Sequence, residues 1–296
     1  MTNKIQESSG YYVPHSSWWP FATSIILGLT MAGFAEMLHG HMWFGALLSA
    51  SSFFIGVYVI GRWFKDVVTE SLAKLYNQKM YQTFRMGMIW FIFSECCFFA
   101  GLLAALIYIR LVSVPMLGGA EGYHISTREF LYPEFQAQWP LLDNPVNTSF
   151  HPPIAGVGPW GWPLINTAIL LISALTLTFA HHFLLKGKNK ITAFFIFLTS
   201  LLGSIFLVGQ AIEYLHAYEA LKLTLGSGVY ASIFYFITGF HGLHVLIGTI
   251  FLFIIGIRLL KNHFTTESHF AFEAAAWYWH FVDMVWWCVF VMIYCL

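Results

Sequence analysis

The chain has 296 residues, of which 58% are hydrophobic and 9% charged, with a formal net charge of zero and a mean hydropathy of +0.68. Soluble domains carry about 25% charged residues, so this composition excludes an ordinary soluble protein and assigns the chain to the membrane. The zero net charge offers no electrostatic basis for a nucleic-acid partner.

In chain order, residues 1–17 lack a basic flank followed by an apolar core, so they read as a tail and not a cleavable signal. Seven apolar runs long enough to cross a bilayer follow, at 18–38, 42–64, 86–109, 162–185, 191–212, 229–258 and 272–296. Helices are expected throughout, because an isolated strand leaves its backbone groups unpaired in lipid. The sixth run is longer than a perpendicular helix requires, which predicts tilt or an extension into water. The connection at 110–161 is the only long one. It carries Pro115, Pro133, Pro140, Pro145, Pro152, Pro153 and Pro159 and reads as an ordered-coil loop, not a domain. Cys96, Cys97, Cys288 and Cys295 all lie in apolar runs, which predicts small buried hydrophobes and no disulfide framework.

Basic residues set the orientation. Lys4; Arg62, Lys65, Lys74, Lys79 and Arg85; Lys186, Lys188 and Lys190; and Arg258 with Lys261 fall on one side. These are 11 of the 14 Lys and Arg residues, and the other side holds Arg110, Arg128 and Lys222. The split agrees with strict alternation over seven spans and places the N-terminus inside and the C-terminus outside.

Ionisable groups at membrane depth are costly and mark candidate functional positions. Glu95, in FIFSECCFFAG, lies near the middle of the third span. Glu273, His280 and Asp283 share FEAAAWYWHFVD with Trp277; helical spacing puts Glu273, Trp277 and His280 on one stripe, with Asp283 a turn beyond His280. Such a stripe must face protein or water, as an interhelical hydrogen-bond seam or as a relay. His241 and His244, in TGFHGLHVLIGT, lie three residues apart on one helix face. Two haems stacked along one helix need ligands about 13 residues apart at 1.5 Å per residue. A zinc site needs further ligands at matching spacing, and the sequence shows none. The pair therefore reads as a packing segment, with Gly239, Gly242 and Gly248 allowing close helix approach. A buried carboxyl and an imidazole satisfy each other, so Glu95 is expected to meet His241 or His244 across the third and sixth spans.

Taken together, SSWWPF, WFKDVVTES, FRMGMIWFIFSE, PMLGG, PLINTAILLISALTLTFAHH, QAIEY, GSGVY, TGFHGLHVLIGT and ESHFAFEAAAWYWHFVDMVW resemble subunit III of the cytochrome c oxidases of the A-type haem–copper class. The resemblance implies an all-α membrane protein in which a two-helix unit (18–64) and a five-helix unit (86–296) are separated by a V-shaped lipid cleft, with an inner tail (1–17) and an inner loop (65–85). It implies a core subunit with no catalytic residue, haem, copper or other metal of its own. Haem and copper are expected in the partners, the haem–copper catalytic subunit I and the copper-bearing subunit II. Structural phospholipids are expected at Trp63, Arg258 and His263, and Glu95 matches the family's third-span carboxylate. Support of proton uptake and protection of the catalytic subunit from turnover inactivation come with the same resemblance.

Two departures stand out. FFAGLLAAL replaces an aromatic FFWAF, and the tail offers Tyr11, Tyr12 and a displaced His15 where some relatives have a histidine-bearing tail. The long outer connection favours a bacterial cell membrane over the mitochondrial inner membrane. Two alternatives are subunit III of a quinol oxidase, disfavoured by the two N-terminal spans, and an independent proton-coupled transporter, disfavoured by the absence of repeats.

Overall fold

The computed structural model describes residues 12, 16–119, 125–146, 150–266 and 268–296. Most of the 1–17 tail, with Lys4, Tyr11 and His15, lies outside the described residues. Among the described residues there is no strand, and seven helices are long and apolar enough to cross a membrane. These are α1 (Trp19–Leu38), α2 (Met42–Leu72), α3 (Gln78–Tyr108), α4 (Trp162–Leu185), α5 (Asn189–Glu219), α6 (Val229–Leu260) and α7 (Phe270–Val289).

Local chemistry sets the helix ends. Pro20 and Pro163 occupy the first turns of α1 and α4, where a missing N–H costs nothing. Four helices close on a left-handed residue just past the last turn: Gly40 after α1, Lys74 after α2, Gly187 after α4 and Asn262 after α6. The backbone bonds that accompany this closure include His41 N–H to Glu36 O (3.0 Å) and Lys188 N–H to Phe183 O (3.0 Å).

Several helices outrun their apolar segments. α2 continues eight residues past 64, α3 begins at Gln78 and α5 reaches Glu219. At 31 residues each they are about 46 Å long, well beyond a hydrocarbon core of about 30 Å. Hydropathy marks where lipid ends, but the helix continues into water as long as no residue stops it. α6, at 32 residues, is therefore not exceptional. The helical path of α3 also runs on past 109, through a π-helical turn (Ile109–Ser113) and a short helical turn (Val114–Leu117). Pro115 cannot donate to the α-helical ladder, and the widened turn before it absorbs the mismatch.

The connection that follows is ordered coil where described, with one π-helical turn at Thr127–Leu131. It is pinned by Asn144 Nδ2–H to Ser227 O (3.0 Å) and Ile154 N–H to Leu221 O (2.8 Å). The Arg110 guanidinium lies over the Trp139 ring at 5.7 Å.

The chain divides into two compact units, residues 1–86 and 87–296. In the first, α1 and α2 form an antiparallel hairpin whose buried residues are all small: Thr30 and Gly33 on α1, Gly45, Ser49, Ser52 and Gly56 on α2. A Cβ on Gly33 would stand 2.8 Å from Gly45 O, so this crossing admits only glycine. Ser49 Oγ donates to Thr30 O (3.2 Å), and Trp19 Nε1–H donates to Asp66 Oδ2 (2.9 Å) at the open end.

In the second unit the core is aromatic. Trp279 of α7 fits a socket made by two glycines: its ring would meet a Cβ on Gly203 of α5, and its Cε3 lies 2.9 Å from where a Gly248 Cβ would stand on α6. Its Nε1–H donates to Ser173 Oγ of α4 (2.9 Å). One side chain thus joins four helices. Gly248 is a close-approach glycine as expected, but Gly239 and Gly242 are not. Tyr214 Oη is 3.7 Å from a Gly239 Cβ, and nothing lies within 4 Å of a Gly242 Cβ. The four cysteines are free and exposed on helix surfaces, not buried as expected. An apolar run does not distinguish the face turned to lipid from the face turned inward.

Candidate functional site

The polar side chains singled out from the sequence fall into three groups, two within the apolar helices and one at and beyond the end of α6. The first joins α3 to α6. Glu95 Oε2 lies 3.0 Å from His244 Nε2, with the two side chains 22% and 12% exposed. His244 Nδ1 is 2.7 Å from Phe240 O, which can only accept, so Nδ1 carries a proton. One further proton therefore sits between Nε2 and the carboxyl. Phe99 packs edge-on to the imidazole at 5.0 Å, and Tyr278 stacks on it at 6.3 Å. Of the two histidines it is His244 that meets Glu95. His241 turns to α7, where Nε2–H donates to Val282 O at 3.3 Å. It is fully buried between Phe206 (5.6 Å) and Trp286 (5.0 Å).

The second group runs along α7. The seam there lies on a different stripe from the one spacing suggested. Trp279 donates to Ser173, Trp286 Nε1–H donates to Thr167 Oγ1 (2.9 Å), and Tyr278 Oη–H reaches His244 O (3.4 Å). Glu273, Trp277 and His280 are only half-buried beside this stripe. Glu273 Oε1 lies 3.2 Å from His269 Nε2, one turn away on the same element. Asp283 is buried, and neither of its carboxylate oxygens has a hydrogen-bond partner among the described residues.

Sequence reasoning missed a second buried carboxyl altogether. Glu213 of α5 is 3% exposed, and its Oε1 accepts the Tyr294 hydroxyl proton at 2.6 Å. Tyr294 comes from the π-helical end of α7 (Phe290–Cys295). The signal was present in QAIEY, where Gln210 and Glu213 stand three apart inside an apolar helix.

The third group is cationic. Arg258, in the last turn of α6, is half-buried, with its guanidinium carbon 4.5 Å from the Phe264 ring centroid. Its Nε has no hydrogen-bond partner among the described residues, and neither has His263 Nδ1. Loss of solvent, then the positive charges of Arg258 and Lys261, push the His263 imidazole below its ordinary pKa. Trp63 lies on α2 in the other unit and is half-buried.

Among the described residues one set of three could hold a metal: His181, His269 and Glu273, each offering a donor atom within 4.8 Å of the others. His241 and His244 do not belong to it.

Seven helices long and apolar enough to cross a membrane, with Glu95 bonded to His244 and Glu213 to Tyr294 between them, define a multi-pass, all-helical membrane protein. A family model described as "Cytochrome c oxidase subunit III" matches residues 9–124 and 138–296. Proteins named "Cytochrome c oxidase subunit 3" from Equus caballus and Equus asinus are each 38% identical over 289 residues, covering 97% of this chain and 97% of theirs. The protein of that name from Ceratotherium simum is 37% identical over the same span. The chain belongs to the cytochrome c oxidase subunit III family, and nothing in these matches supports the quinol-oxidase alternative.

Proposed function

We propose that the chain is a non-catalytic core subunit of a proton-pumping cytochrome c oxidase, with no redox centre of its own, and that it holds structural phospholipid beside the haem–copper subunit I and the copper-bearing subunit II. The observation that carries the lipid reading is Arg258. A half-buried guanidinium stacked on Phe264, with an unpaired Nε and no carboxylate partner among the described residues, suits an anionic headgroup phosphate. His263 beside it offers a second donor, and Trp63 is assigned the same role on the other unit.

The redox-silent reading is supported by the histidines themselves. Both ring nitrogens of His244 are engaged by protein oxygens. His241 is fully buried between two aromatic rings, with Nε2 committed to Val282 O. Support of proton uptake is assigned to Glu95, whose carboxyl shares a proton with His244. The inside position of the N-terminus rests on the basic-residue asymmetry. The long outer connection favours a bacterial cell membrane, whereas the mammalian relatives hint at a mitochondrial one.

The test is the purified native oxidase carrying Arg258→Ala together with His263→Ala. Bound phospholipid should fall and activity should decay over fewer turnovers, with haem and copper content unchanged. Unaltered lipid content would overturn the lipid assignment.

A further inference from the structure

His181, His269 and Glu273 form a cluster at one end of the five-helix unit that the reading above does not use. Their positions are fixed by the antiparallel register of α4 and α7. Thr167 is bonded to Trp286 and Ser173 to Trp279, and the His181 ring packs against Phe272 at 5.5 Å. Two buried indole hydrogen bonds thus hold the helices in the register that brings His181 opposite the start of α7. His269 immediately precedes α7 and Glu273 lies in its first turn. The His181 and His269 rings are 6.3 Å apart, edge to face.

Hydrogen-bond chemistry then constrains what can sit between them. His269 Nδ1 lies 3.1 Å from Thr265 O. A carbonyl oxygen only accepts, so Nδ1 carries the proton and Nε2 turns its lone pair toward Glu273 Oε1, 3.2 Å away. Two lone-pair-bearing atoms at that separation need a cation between them, either a proton or a metal ion. A backbone carbonyl holding the far nitrogen is also how metal-ligating histidines are oriented. Donor atoms of a tetrahedral site with bonds of about 2.0–2.1 Å stand about 3.3 Å apart. The His269–Glu273 pair already meets that spacing. The third donor, from His181, lies within 4.8 Å of both and would have to move closer to complete the shell. His269 and Glu273 are 10% and 13% exposed, so the cluster is sheltered without being sealed.

We infer that His181, His269 and Glu273 form a binding site for a divalent cation of the zinc type, stapling the end of α4 to the start of α7. Two imidazoles and one carboxylate are a zinc-competent donor set, with the fourth position left to water. The sequence concealed the site because His181 and His269 are 88 positions apart and neither belongs to a spacing motif.

The test is zinc stoichiometry in the tag-free native complex, stripped with chelator and then titrated with Zn2+. The expected result is one zinc equivalent more in the native complex than in complexes carrying Glu273→Gln or His181→Ala, each of which should weaken that site by more than about tenfold. His182→Ala, which alters the exposed neighbour, should leave it intact. Equal zinc retention by native and variant complexes would overturn the inference. Should the variants fail to assemble, zinc-edge X-ray absorption of the native complex with one equivalent restored decides. Two imidazole nitrogens plus oxygen are expected, and a thiolate or all-oxygen shell would reject the site. The readout is metal content, so its outcome is independent of the lipid and proton-uptake assignments.

Discussion

The α1–α2 hairpin and the five-helix unit share a solvent and an amino-acid palette, yet they are held together in opposite ways. Of the 20 residues of α1 only Thr30 and Gly33 are buried, whereas eleven of the 20 in α7 are. The hairpin buries only glycine, serine and threonine and turns Leu38, Trp43 and Phe54 outward. The five-helix unit buries Trp279, Trp286, Phe206, Phe234 and Phe272 completely. Lipid gives apolar side chains no reason to turn inward, so helices associate either by backbone approach or by shaped packing with polar bonds. The hairpin uses the first means. The larger unit uses the second, with glycines serving as sockets for tryptophan.

Four experiments should break or sharpen this contrast. The largest effect is expected from Trp286→Ala, which removes a fully buried ring packed on Phe206 (4.8 Å) and His241 and abandons Thr167. A loss of about 3–5 kcal/mol is expected in the five-helix unit alone, read by unfolding in mixed micelles with local probes in each unit. Equal destabilisation of the hairpin would refute the separation of the two modes.

Next comes Gly33→Leu. Its Cβ would be driven into the backbone of Gly45 and Ser49, and about 3 kcal/mol should be lost from the hairpin. Cysteine cross-linking across α1 and α2 should fall while the melting of the five-helix unit stays put. A tolerated leucine there would mean that the small-residue seam is not what joins the hairpin.

Tyr294→Phe should cost about 1–2 kcal/mol, because it strips a donor from the buried Glu213 carboxyl. The companion Glu213→Leu variant should cost less in combination with Tyr294→Phe than the two separate losses predict, which a double-mutant cycle measures. Additive losses would deny the bond.

The smallest effect is expected from Glu95→Gln, at about 0.6 kcal/mol, typical of a hydrogen bond between membrane helices. Stopped-flow proton uptake by the oxidase should slow, with the optical spectrum of its haems unchanged. Loss of haem would contradict a role confined to packing and proton handling.

Some of this was legible in the chain. Each of the seven apolar runs corresponds to a helix, because hydrocarbon thickness imposes a minimum length on any apolar run that crosses it. The Glu95–His244 pairing was also within reach, since a carboxyl and an imidazole at similar depth have few other partners in lipid. The choice between His241 and His244 was not. Both lie on one face of α6, and only the rotation of that helix against α3 and α7 separates them. The extension of α2 past 64 was hidden because charged residues can continue a helix in water as readily as end it.

The α7 stripe shows the limit most sharply. Counting offsets from Glu273 selected Trp277 and His280, whereas the bonded face holds Trp279 and Trp286, because indole N–H groups seek acceptors only when packing buries them. Glu213 was overlooked for a similar reason: a carboxyl gains meaning from the tyrosine brought to it from 81 residues away. The sequence by itself determined the membrane class, the number of spans and the family, since each follows from local composition or an unbroken motif. Tertiary structure alone decided which imidazole meets which carboxyl, which glycines are sockets, and that His181 faces His269 and Glu273. Those outcomes depend on the rotation and register of whole helices, which packing sets over the full length of each contact and no short stretch of sequence encodes.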